Sequence, residues 1–150
     1  MKSRMSRSLI AISLAALASL SWAPRADAAL PEVQRIGGVE VLSGGIGHDE
    51  AQAVQAEARR WPLTLEVAVS DQQHSDYAAN VLVHVRDTRG HTVLETTSEG
   101  PFLLARLAPG AYRIDASLGG HTLHRDVKLQ PGHPASVLFL WPRDADAAAL

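Results

Sequence analysis

The sequence predicts a mainly β protein, a seven-stranded β-sandwich with one N-terminal α-helix packed on it. The first observation is that apolar residues recur at every second position in several short segments between residues 63 and 141, which is the period of a strand with one buried face. The second is that turn residues separate these segments at regular intervals, as in Pro109-Gly110, Gly119-Gly120 and Pro131-Gly132. Short strands with evenly spaced turns are typical of a sandwich.

Seven segments carry this alternation: 63–70, 81–86, 92–96, the strand of Phe102, the strand of Tyr112, 122–129 and 137–141. Residues 71–76 are polar and predict a loop. Between Leu104 and Leu107 the apolar spacing changes from two residues to three, which predicts a bend that returns Leu107 to the core. The Gly-rich segment 29–47 has little periodicity, although Val39 and Val41 allow a short edge strand.

Residues 48–61 predict the helix, because they are rich in Ala, Glu and Gln and end at Pro62. One narrow apolar stripe follows the helical period: Ala51, Val54, Ala58 and Trp61. The last strand is apolar on both faces, since Leu138 and Leu140 point away from Phe139. We expect the helix to cover these two leucines; the alternative is a homodimer interface.

The first 28 residues predict a secretory signal peptide. A basic start (Lys2, Arg4 and Arg7) precedes a 14-residue apolar run from 9 to 22, and Ala26-Asp27-Ala28 supplies the small residues before a cleavage site. A membrane-spanning helix needs about 20 apolar residues, so an uncleaved anchor is the weaker alternative. These residues predict a periplasmic or secreted protein with no membrane span after cleavage.

The net charge argues against nucleic-acid binding, and the lack of cysteine excludes disulfides as a source of stability. Four of the 14 basic and one of the 16 acidic residues lie in the first 28 positions, so residues 29–150 hold ten basic against fifteen acidic residues, a net charge of −5. An acidic domain is a poor binder of nucleic acid. The chain has no cysteine, so its stability must come from burial rather than from disulfides. Residues 142–150 are predicted to be a flexible tail.

One extended pattern of strand and turn residues resembles the carboxypeptidase regulatory-like domain: Val83-x-Val85-x-Asp87-x-x-Gly90, then Gly100-x-Phe102-x-Leu104-x-x-Leu107-x-Pro109-Gly110-x-Tyr112-x-Ile114-x-Ala116. The resemblance covers roughly residues 63 to 141. It implies a transthyretin-like (prealbumin-like) β-sandwich, grouped with carbohydrate-binding-like folds, that serves as an accessory module. The Gly-Gly-Ile-Gly-x-Asp-Glu segment at 44–50 is also similar to small bacterial secreted proteins that carry such a domain.

No residue pattern in the chain predicts a catalytic, metal or cofactor site. The seven histidines show neither a helical pair nor a tract: His48, His74, His84, His91, His121, His124 and His133. The adjacent residues His74, Ser75 and Asp76 are not a triad, whose members must converge in space. Gly44 to Gly47 before the helix could cradle an anion, but the acidic helix start favours a simple turn.

The sequence therefore predicts a non-catalytic periplasmic accessory domain, without a cofactor, that binds an unknown protein or envelope glycan. The candidate partner-binding residues are Tyr77, His74, Asp76 and Trp61. The alternative is a carbohydrate- or metal-binding module. That alternative requires two or more histidines, or Trp61 and Tyr77, to meet at one exposed place.

Overall fold

A computed structural model describes residues 29–70 and 75–144, and only the backbone of residue 75. The predicted signal peptide, His74 and the predicted tail beyond residue 144 lie outside the described residues. The described part contains one helix, α1 (His48–Ala58), and ten strands: β1 (Gln34–Ile36), β2 (Val39–Gly44), β3 (Leu63–Ser70), β4 (Ser75–Tyr77), β5 (Val81–Asp87), β6 (Thr92–Ser98), β7 (Phe102–Ala105), β8 (Gly110–Leu118), β9 (His121–Leu129) and β10 (Ala135–Pro142). In these residues α1 is too short to cross a membrane.

The strands form two sheets. Sheet A has the order β1-β2-β7-β3-β10, with the short β4 also paired to β3, and sheet B has the order β6-β5-β8-β9. All pairs are antiparallel except β3 with β10. The mainly β prediction with a single helix is confirmed. The count of seven strands is not, because β1 and β2 come from the Gly-rich segment and β4 includes part of the predicted loop.

The main core lies between the two sheets. Its largest fully buried side chains include Phe139 and Trp141 of β10, whose rings stack with centroids 6.0 Å apart. Trp141 Nε1 donates a hydrogen bond to the His121 carbonyl at 2.9 Å, so the indole N–H is satisfied inside the core. Aliphatic residues at alternate positions of β3, β5 and β8 complete this core.

A second buried cluster lies between α1 and the outer face of sheet A. It consists of Leu42, Ala51, Val54, Trp61, Phe102 and Leu104. The prediction that Val54 and Trp61 pack against the sheet is therefore confirmed. Phe102 and Leu104 face the helix, whereas Leu103, Ala105 and Leu107 face the main core. Leu107 thus continues the two-residue spacing of Leu103 and Ala105, and the predicted change of parity after Leu104 is wrong.

The prediction that the helix covers Leu138 and Leu140 is also wrong. Both leucines lie on the outer face of sheet A, yet they remain 49% and 40% exposed. The reason is the position of α1, which contacts β2 and β7. β10 is two strands away from β7 in the sheet, about 10 Å across, so α1 does not cover it.

The turn before α1 is closed by the helix's own acidic residue. Gly45 N and Ile46 N both donate hydrogen bonds to Glu50 Oε1, at 2.7 and 3.3 Å. Gly45 and Gly47 have positive φ angles of 94° and 85°, which glycine adopts at little cost. The Gly-rich turn therefore cradles the Glu50 carboxylate, and these two donors are already used.

Candidate interaction surface

Three large apolar side chains lie exposed on the outer face of sheet A beyond the edge of α1. Tyr77 is 55% exposed, beside the half-exposed Leu138 and Leu140. The strand register brings them together, because Leu140 of β10 and Tyr77 of β4 are both partners of Ala68 in β3. We call Tyr77, Leu138 and Leu140 the apolar patch.

The apolar patch is continuous with the buried cluster under the helix. The Tyr77 ring lies against the Phe102 ring with centroids 5.6 Å apart and planes tilted by 58°. Phe102 is buried under α1. The helix therefore covers Phe102, whereas Tyr77 beside it is exposed. Glu66 of β3 lies on the same face, because it is the register partner of both Leu138 and Phe102.

The patch also borders an open strand edge. Within the described residues β10 pairs only with β3, so its other side ends sheet A. No charged residue occurs between Ala135 and Pro142. Natural proteins usually protect edge strands with charges, prolines or bulges, because the free N–H and C=O groups can pair with another chain. In β10 only the terminal Pro142 serves that purpose.

The other predicted partner-binding residues do not join the patch. Asp76 is the partner of Val69, whose side chain faces the main core, so Asp76 lies on the opposite face from Tyr77. Trp61 is buried, and the Arg106 guanidinium lies 4.3 Å above its ring. Trp61 and Tyr77 therefore do not form a shared exposed platform for a sugar ring.

The described histidines form contacts with residues other than histidine. His84 Nε2 lies 2.6 Å from Thr92 Oγ1, and His124 Nδ1 lies 2.5 Å from Asp115 Oδ1. In the part of the chain that the structure describes, no group of three or more His, Asp or Glu side chains is arranged to hold a metal ion.

The outer face of sheet B has a different character, with charges that pair across the strands. Asp115 of β8 accepts hydrogen bonds from both Arg86 of β5 and His124 of β9. Burial alone would raise the pKa of Asp115, but these two hydrogen bonds outweigh it and hold the pKa below its ordinary value of 3.8. The polar alternation in β8 and β9 predicts that these residues face outward, but the sequence does not show which of them pair across the strands.

A cavity lies at one end of this network. It measures about 580 Å³ and is lined by residues of β5, β8 and β9 that include Tyr112, Arg113 and Asp126. The Arg113 side chain makes two hydrogen bonds to Asp126, at 2.9 and 3.2 Å, and the pKa of Asp126 is lowered by this contact. Tyr112 donates a hydrogen bond to the Ala108 carbonyl at 2.7 Å. Arg113 and Asp126 thus satisfy each other, whereas Nε of Arg86, another lining residue, is buried without a hydrogen-bond partner among the described residues.

Comparison with known proteins does not identify a function for this chain. No family model matches the chain, and no curated protein matches it. The resemblance to the carboxypeptidase regulatory-like domain stays a prediction that depends on the quoted strand and turn residues.

Proposed function

We propose that this protein is a non-catalytic accessory domain of the periplasm or of the secreted space that binds another protein. We assign it to the transthyretin-like sandwiches of the carboxypeptidase regulatory-like kind. The observation that carries the proposal is the apolar patch of Tyr77, Leu138 and Leu140, which is exposed beside the uncharged edge strand β10. Contiguous exposed apolar residues on a soluble domain are typical of a binding surface.

The geometry favours a protein partner over a small ligand. An extended segment that pairs with β10 would gain main-chain hydrogen bonds along up to eight residues. Its alternate side chains would then lie beside Leu138 and Leu140 on the same face. Tyr77 lies across β3 from Leu140 and would contact the same partner. Tyrosine is enriched at protein interfaces because its ring is large and its hydroxyl tolerates water.

A second copy of the chain is one such partner. β10 offers the same uncharged edge in both copies, and antiparallel pairing about a two-fold axis would extend sheet A from one copy into the other. The leucines of both copies would then meet on one face. This arrangement requires Leu138 and Leu140 to be uncovered, as they are.

Site-specific photo-cross-linking in cells tests the proposal. A photoreactive phenylalanine at position 77 should give discrete protein adducts, because partner atoms lie within reach of the patch. The double change Leu138→Lys and Leu140→Lys should remove most of these adducts, since two buried charges at an interface are costly.

Leu82 provides the matched control. It is 46% exposed, like the two leucines, but it lies in β5 of sheet B. Leu82→Lys should leave the adducts from position 77 unchanged. Adducts that survive the Leu138/Leu140 change, or that Leu82→Lys removes equally, would show that the patch is not the binding surface.

A further inference from the structure

We propose that the protein has a second binding site, a pocket for an oxyanion group such as a phosphate or carboxylate, at one end of the sandwich. It is separate from the apolar patch and does not depend on the proposed protein binding. Three connections meet there: residues 59–62 after α1, 106–109 between β7 and β8, and 130–134 between β9 and β10. They enclose a cavity of about 270 Å³.

The strand ends fix the position of these three connections. Leu63 is the register partner of both Ala135 in β10 and Ala105 in β7, so the start of β3 lies between the other two strand ends. Ala135 N donates a hydrogen bond to the Pro62 carbonyl at 2.9 Å. Four prolines line the cavity and restrict its backbone: Pro62, Pro109, Pro131 and Pro134. The pocket is therefore formed by a rigid frame.

Positive charge is concentrated in this pocket although the chain as a whole is acidic. Its lining includes Arg59, Arg60, Arg106 and His133, and none of the described residues that line it is acidic. The carboxylates that pair with these arginines are not part of the lining. Glu57 pairs with Arg60, and Glu40 is shared between Arg106 and Arg35. The local arginines therefore outnumber the carboxylates.

Arg106 is held in place from three directions. Its guanidinium lies over the buried Trp61 ring, its Nε pairs with Glu40 at 3.1 Å, and its Nη1 donates a hydrogen bond to the Arg60 carbonyl at 3.2 Å. Its Nη2 has no partner among the described residues and can donate to a ligand. A guanidinium that is already ordered loses little side-chain entropy when it binds an anion.

Arg59 supplies a further donor, and a hydrogen bond within the loop orients the ring of His133 at the same cavity. Arg59 is exposed, and among the described residues it has no ion-pair partner. His133 Nδ1 lies 3.0 Å from the Pro131 carbonyl oxygen, which can only accept, so Nδ1 carries a hydrogen there.

These features select the class of ligand. Guanidinium groups bind the oxygens of a phosphate or carboxylate through paired N–H groups, which gives both charge and direction. A cavity of this size holds one such group with a small attached ring. The ring would lie against the prolines. The geometry points to a phosphorylated or acidic small molecule, or the same group on an envelope polymer.

NMR titration of the protein, followed through its backbone amides, tests the site. Inorganic phosphate and glucuronate should both shift the amides of residues 106–107 and 130–133, whereas neutral glucose should not. A response to glucuronate that is stronger than the response to phosphate would identify an acidic sugar as the source, and the reverse would identify a phosphate. Ionic strength is held constant with sodium chloride, because salt screens such contacts.

Variants decide whether the arginines cause the effect. The double change Arg59→Gln and Arg60→Gln should raise the Kd for phosphate about tenfold, since both side chains are exposed and the fold does not depend on them. Arg113→Gln, at an exposed arginine on sheet B, should leave it unchanged. Shifts spread over all basic residues, or a Kd that the double change does not alter, would overturn the proposal.

Discussion

Gly100 allows the loop before β7 to lie directly on the end of β2. A Cβ at position 100 would stand 2.4 Å from the Gly44 carbonyl oxygen, a separation that real side chains do not reach. Gly44 is equally enclosed, because its own Cβ would lie 2.4 Å from a Pro31 side-chain carbon. The contact at Gly100 is with backbone, which cannot rotate away as a side chain can.

The first prediction therefore concerns Gly100→Ala. We expect it to lower the free energy of unfolding by about 3 kcal/mol, the upper range for overpacking, because the β2 backbone must shift. Gly37→Ala is the control, since a Cβ there meets nothing and only the positive φ of 56° is strained. That change should cost about 1 kcal/mol. Urea unfolding measures both, and equal losses would contradict the packing argument.

Asp115 makes the free energy of unfolding depend on pH. Its folded pKa lies below 3.8, because the hydrogen bonds from His124 and Arg86 outweigh the effect of burial. A carboxyl group with a depressed pKa stabilises the fold above the unfolded pKa of about 3.9, and this contribution is lost as the pH falls towards the folded pKa.

We therefore expect the free energy of unfolding to fall steeply below about pH 4. The Asp115→Asn variant should have a lower free energy of unfolding than the unchanged protein at pH 7. It should also lose less of that free energy as the pH falls, so the two curves of stability against pH converge at low pH. Urea unfolding between pH 7 and pH 2.5 measures this. Parallel curves for the two proteins would exclude a special role for Asp115.

At the scale of elements, β7 shows what the alternation could and could not predict. All four of its residues are buried, because sheet B lies on one side and α1 on the other. A strand buried on both faces has no polar positions to mark its faces. The alternation therefore could not show that Phe102 and Leu104 face the helix rather than the main core. β3, β5 and β8 were predicted well because most of their outward residues are polar.

β10 is also apolar on both faces, but in the structure one of these faces is exposed to solvent. Because both faces of this strand are apolar, the sequence correctly indicated that Leu138 and Leu140 point away from the main core. Which element would cover them depends on the order of strands in sheet A, and that order is a tertiary property. α1 follows β2 after a short turn, so it lies over the strands next to β2 and leaves β10 uncovered. The exposure of Leu138 and Leu140 therefore could not be predicted from the sequence alone.

At the scale of the whole molecule, the edge strand β10 carries two of the three residues of the apolar patch. Phe139 and Trp141 of β10 are fully buried in the main core. The strand therefore cannot be deleted, and neither residue can be replaced by a charged one, without loss of the fold. Its outer face has no such role within a single copy. Contact with another chain, as proposed above, would explain why leucines rather than polar residues occupy positions 138 and 140.

If that chain is a second copy, thermal stability must depend on protein concentration. Association of folded chains stabilises them by mass action, and each tenfold rise in concentration should raise Tm by about 3 °C for a dimer of this size. Leu138→Lys with Leu140→Lys should abolish the dependence, while Leu82→Lys should retain it. A Tm that is independent of concentration in the unchanged protein would rule out the homodimer, and the partner bound at the patch would then be a different protein.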